Sequence, residues 1–67
     1  MNKDRFDDEL LTQRELCDLL KISKKTAESW RFYGRGPGYI KLSKRCIRYR
    51  KSDVFEYMAK NTVLPSA

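Results

Sequence analysis

Leu16, Leu19 and Leu20 recur at intervals of three and four, with Cys17 beside them. That spacing predicts a short amphipathic helix over about residues 12–20. Thr12-Gln13-Arg14-Glu15 marks its start as a capping box, in which Thr12 accepts a backbone N–H and Glu15 reaches back to Thr12. Lys21-Ile22-Ser23 follows as a tight connector, and Ser23 is a favourable N-cap for a second helix over about 24–33. At about 100° per residue, Thr26, Ala27 and Trp30 share one face of that helix, while Lys24, Lys25, Glu28, Ser29 and Phe32 share the other. Gly34, Gly36, Pro37 and Gly38 end it, and all three glycines of the chain fall in this stretch.

The period then changes from helical to alternating. Ile40 and Leu42 alternate with Tyr39 and Lys41, and Ile47 and Tyr49 alternate with Cys46, Arg48 and Arg50. Ser43-Lys44-Arg45 lies between the two runs, so the pair predicts a hairpin with a basic tip. Ser52 is placed to cap a third helix, with Asp53 at its positive end and Val54, Tyr57 and Met58 as its apolar stripe. The expected fold is mainly α with a small β-hairpin: a helix-turn-helix, a two-stranded wing and a C-terminal helix. Residues 1–9 read as a flexible lead-in, 10–60 as one domain and 61–67, with Pro65, as a flexible tail. The expected core is Leu16, Leu20, Ala27, Trp30, Ile40, Leu42, Tyr49, Val54, Tyr57 and Met58. Trp30 has a second reading, as a stacking platform for single-stranded nucleic acid. Its phase with Ala27 favours the core.

Charge sharpens this picture. The 67 residues carry fifteen Lys and Arg against nine Asp and Glu, a net +6. Residues 21–52 hold eleven of the basic side chains and one acid, Glu28, whereas both flanks are net acidic. A contiguous basic segment suits a polyanion-binding surface better than charges interspersed for solubility. Lys24 and Lys25 sit in the first turn of the second helix, where cations oppose the helix dipole at a cost of a few tenths of a kcal/mol each, roughly. A bound phosphate removes that conflict. Lys41, Lys44, Arg45, Arg48 and Arg50 would project from the hairpin, as suits a wing on a nucleic-acid backbone; the plainer alternative is an edge hairpin protected by charge.

Other chemistries find little support. There is no His and no CxxC pair, so neither a structural metal nor a cofactor is expected, and Cys17 and Cys46 make no disulfide framework. Asp7-Asp8-Glu9 is a carboxylate run in a segment without periodicity, so no enzyme activity is expected. The N-terminus is polar and acidic and no apolar run approaches membrane-spanning length, so a reduced, cytoplasmic setting is expected. A basic adaptor that binds an acidic protein partner stays open as another class. RNA binding comes third, for want of an exposed aromatic pair on a sheet.

The stretches LLTQRELCDLLKISKKTAESW, WRFYGRGPGYIKL and IRYRKSDVFEYM, in that order between Leu11 and Met58, resemble the excisionase and AlpA-like phage regulator family, a winged-helix group related to MerR-type DNA-binding domains. The resemblance implies double-stranded DNA contacts from Ser23, Lys24, Lys25, Thr26, Glu28 and Ser29 on the recognition helix, and from Lys44, Arg45 and Arg48 on the wing. Glu28 and Ser29 depart from the basic or aromatic residues common in the family, and Ser43 stands where a wing-tip Gly is usual. The implied function is that of an excisionase, or recombination directionality factor, which binds and bends DNA near the attachment site of an integrated mobile element. The alternative is an AlpA-like transcriptional regulator. A chain that is all DNA-binding domain, with no sensor region, favours the first. Implied partners beyond DNA are a site-specific integrase or recombinase and further copies of the chain bound cooperatively on repeated sites.

Overall fold

The computed structural model describes residues 8–65, so the lead-in and tail expected at the two ends lie outside the described residues over 1–7 and 66–67. The elements run β1 (Leu10–Leu11), α1 (Gln13–Leu20), α2 (Lys24–Phe32), β2 (Ile40–Ser43), β3 (Cys46–Arg50) and α3 (Lys51–Lys60). Three helices pack on a small antiparallel sheet of order β1-β3-β2. This is a winged helix-turn-helix.

The local signals explain most boundaries. Thr12 caps α1 with the full reciprocal box: Glu15 N donates to Thr12 Oγ1 at 3.1 Å and Thr12 N donates to Glu15 Oε1 at 2.8 Å. The helix closes at Lys21, which adopts the left-handed conformation (φ 60°) and lets Ile22 N reach Cys17 O at 3.0 Å. Ser23 caps α2, its Oγ accepting from Thr26 N at 3.1 Å. Cys17 Sγ, half-buried, donates to Ser23 O at 3.6 Å and ties the turn to α1.

Leu11, Leu16, Ala27, Tyr49 and Val54 form the buried core, with Cys17, Leu20, Ile22 and Ile47 packed against it. Trp30, Ile40 and Tyr57, also expected as core, are half-buried but stand apart from the side chains that pack against this cluster. Two expected core residues are corrected. Leu42 is 57% exposed, because the β2–β3 register sets Ile40 opposite Arg48 and Lys41 opposite Ile47 and so turns the apolar positions of β2 away from the face of Ile47 and Tyr49. Met58 is 40% exposed, since α3 is anchored through Val54 and Tyr57 and turns the Met58 edge of its stripe outward.

The start of α3 also differs from expectation. It begins at Lys51, and its N-cap Arg50 makes no side-chain cap bond. The acceptors come from the lead-in instead. Lys51 N donates to Glu9 O at 2.9 Å and Ser52 N donates to Asp8 Oδ1 at 3.3 Å, across 44 residues of chain in the second case. Ser52 Oγ, expected as the cap, donates to the same carboxylate. Asp8 thus brings negative charge to the positive end of α3, and β1 runs on from it to pair Leu10 with Arg50 and Leu11 with Tyr49.

Candidate nucleic-acid interface

α2 presents its outer face because its inner one is committed. Ala27 is fully buried, and Trp30 packs its ring 5.5 Å from that of Tyr57 on α3. Gly36 also lies close against the Trp30 ring, and its own φ is +81°. Opposite these anchors Lys24, Lys25, Glu28, Ser29 and Phe32 are all exposed. The α1–α2 turn therefore leaves the N-terminal end of α2 uncovered, with two ammonium groups in its first turn.

The hairpin stands beside this face. Lys44 and Arg45 make its turn, both exposed. Between α2 and the hairpin runs a cleft of about 410 Å³. Glu28 and Arg31 line its helix side, and Lys41, Lys44, Arg45 and Arg48 its hairpin side. Gln13, Tyr39 and Ile47 complete it. On the far flank of α2 a shallower cleft gathers Lys25, Ser29 and Arg35 with Ser23, Thr26 and Trp30.

Arg31 fixes the angle between helix and wing. Its Nη1 donates to Gln13 Oε1 on α1 and to Tyr49 Oη on β3 at 3.1 Å, and its guanidinium lies 5.9 Å from the centre of the Tyr39 ring. One side chain thus joins α1, α2, the loop and the sheet on the floor of the cleft. Arg48 is folded back along its own strand, Nη1 donating to Ile47 O at 2.7 Å and to Cys46 Sγ at 3.4 Å. Arg50, expected to project with the hairpin cations, instead donates to Asp53 Oδ2 at 3.0 Å.

The charges are segregated in space as they are along the chain. The three ion pairs among the described residues, Arg50–Asp53, Lys51–Glu9 and Lys60–Glu56, belong to α3, the residue before it and the lead-in. None engages a cation of α2 or of the hairpin tip. A face with five Lys and Arg around one cleft and a single carboxylate, Glu28, concentrates positive potential and attracts polyanions.

Of the residues singled out in sequence, Lys24, Lys25, Glu28 and Ser29 share the exposed α2 surface, and Lys44, Arg45 and Arg48 border the cleft beside it. Ser23 and Thr26 are engaged with each other, their hydroxyls 3.0 Å apart within the helix cap. Arg31, Gln13 and Tyr39 join the site only in three dimensions, and Lys41, expected among the projecting hairpin cations, lines the cleft with them. Arg31 carried one signal: its helical phase, close to that of Ala27, sets a guanidinium at the core margin, where it must find acceptors. Among the described residues no group of three or more Cys, Asp or Glu could hold a metal ion, and no helix is long and apolar enough to cross a membrane.

A family model described as a helix-turn-helix domain matches residues 10–62, from β1 to just beyond α3. No curated protein and no solved structure matches the chain.

Proposed function

Because the chain belongs to the helix-turn-helix domain family, we propose that it binds double-stranded DNA specifically, with α2 in the major groove and the hairpin on the adjoining backbone. The observation that carries this is the basic cleft between α2 and the hairpin, which adjoins the exposed face of α2. Lys24, Lys25, Glu28 and Ser29 face the base edges, and the first turn of α2, beside the Ser23–Thr26 cap, offers the backbone N–H groups of Lys24 and Lys25 to a phosphate. Lys44, Arg45 and Arg48 meet sugar and phosphate. The protein acts by binding, without catalysis, on DNA in the cytoplasm.

The three sequence stretches that resemble excisionase and AlpA-like regulators support a finer role. The protein is a recombination directionality factor of an integrated element, bending DNA near the attachment site. Cooperative copies on repeated sites and contact with an integrase belong to the same proposal.

Affinity for a duplex selected from a random-sequence pool, measured over a salt series against a scrambled duplex, tests the binding mode. Counterion release gives a slope of log affinity against log salt of roughly −0.9 per phosphate neutralised. A flat salt response, with no preference for the selected duplex, refutes DNA binding. Circular-permutation electrophoresis of the selected site then tests the finer role: a bend centred on the footprint is expected, and a straight complex removes it.

A further inference from the structure

We infer that Phe32 is a base-reading residue, seating its ring against the 5-methyl group of a thymine in the major groove. This rests on the proposal that α2 enters that groove. Lys25, Ser29 and Phe32 stand at i, i+4 and i+7, so the Phe32 ring continues the outer stripe one turn beyond Ser29. The ring is 81% exposed, against 47% for Phe55, 40% for Met58 and 38% for Leu19, the other large apolar side chains exposed on the helices. Burial at the core does not account for it.

The ring is nevertheless held. Tyr33 meets it edge-on, with centroids 4.9 Å apart and planes at 88°. The Arg35 guanidinium in turn lies 5.9 Å from the centre of the Tyr33 ring. Arg35 also borders the cleft that contains Lys25 and Ser29, so this aromatic pair is continuous with the polar surface of α2. A phenyl ring has neither donor nor acceptor, and in the major groove only thymine offers a methyl group, beside its O4 acceptor. The chemistry that matches an apolar ring on an otherwise polar reading face is therefore the thymine methyl.

The test replaces each thymine of the selected duplex, one at a time, by deoxyuridine, which keeps base pairing and lacks the methyl. At one position the wild type is expected to bind about fourfold more weakly, the effect of losing one buried methyl-sized group. Phe32→Ala is expected to melt like the wild type and to be insensitive to uracil at that position. Equal sensitivity of wild type and variant at every position overturns the proposal, as does a selected consensus with no fixed thymine. So does a variant that loses only cooperativity between adjacent sites, which would seat Phe32 on a second copy. Absence of duplex binding by the wild type overturns the DNA-binding proposal as well; intact binding without a Phe32-dependent methyl effect overturns this one alone.

Discussion

Replacing Gly36 by alanine adds one methyl group where the backbone is pressed against the only tryptophan of the chain. A Cβ at Gly36 would stand 2.5 Å from Trp30 Cε3 and 2.8 Å from Cδ2, and φ at this position is +81°. Two costs follow. The left-handed conformation alone costs a non-glycine residue about 1 kcal/mol. Overpacking against a ring that is itself held by Tyr57 adds about 1–3 kcal/mol, for a total of about 2–4 kcal/mol. Gly34 supplies the control, since its φ is +68° but a Cβ there meets nothing within 4 Å. Gly34→Ala should therefore cost only the backbone term, about 1 kcal/mol. For a domain of this size each kcal/mol is worth about 4–8 °C in Tm. Thermal melts followed by circular dichroism, with Trp30 fluorescence as the local probe, should show Gly34→Ala lowered by about 4–8 °C and Gly36→Ala by roughly 10–30 °C. Trp30→Leu, which removes the ring, should relieve part of the Gly36→Ala penalty in a double-mutant cycle. Equal losses for the two glycine variants, or strict additivity with Trp30→Leu, would refute the claim that this loop is held by contact with Trp30.

Four further outcomes are expected. Lys25→Ala combined with Ser29→Ala should keep the wild-type melting curve and lose preference for the selected duplex; unchanged footprints would remove α2 as the reader. Arg45→Ala with Arg48→Ala should weaken selected and scrambled duplexes by similar factors and reduce the salt slope by roughly one unit for each phosphate no longer neutralised, whereas a loss confined to the selected duplex would mean that these arginines read bases. Lys21→Gly should stabilise the domain by about 1 kcal/mol, because it relieves the left-handed strain of the α1–α2 turn; a lower Tm would show that the Lys21 side chain contributes more than its backbone costs. Asp8→Ala should destabilise by about 1 kcal/mol by removing the cap and charge at the start of α3, and an unchanged Tm would show that the Asp8–Ser52 contact holds nothing.

What the sequence made legible was local. The Thr12–Glu15 box, the Ser23 cap and the glycine-rich stop after Tyr33 each depend on residues within a few positions of one another, and α1 and α2 lie within a residue of where those signals set them. The hidden features were set by partners far along the chain. β1 is only Leu10–Leu11, too short for any period, and exists because β3 leaves an open edge for it. The true cap of α3 arrives from Asp8, so Ser52, a good cap by type, donates where it was expected to accept. Leu42 fails as core because β2 pairs Ile40 with Arg48 and Lys41 with Ile47, which turns its apolar positions away from the face of Ile47 and Tyr49, and alternation within one strand does not show that register. The basic face was legible for a different reason. α2 and the hairpin are consecutive elements, joined by a loop that Gly36 and Trp30 pin together, so cations clustered between residues 21 and 50 stay clustered in space. Sequence does not show which of them are free to bind. Arg50 and Arg48 look alike on the strand, yet Arg50 sits two residues beyond the last pair of the hairpin ladder, opposite Leu10, and turns to Asp53. Arg31, set at the core margin by its helical phase, holds helix and wing together at the floor of the cleft that the other cations surround.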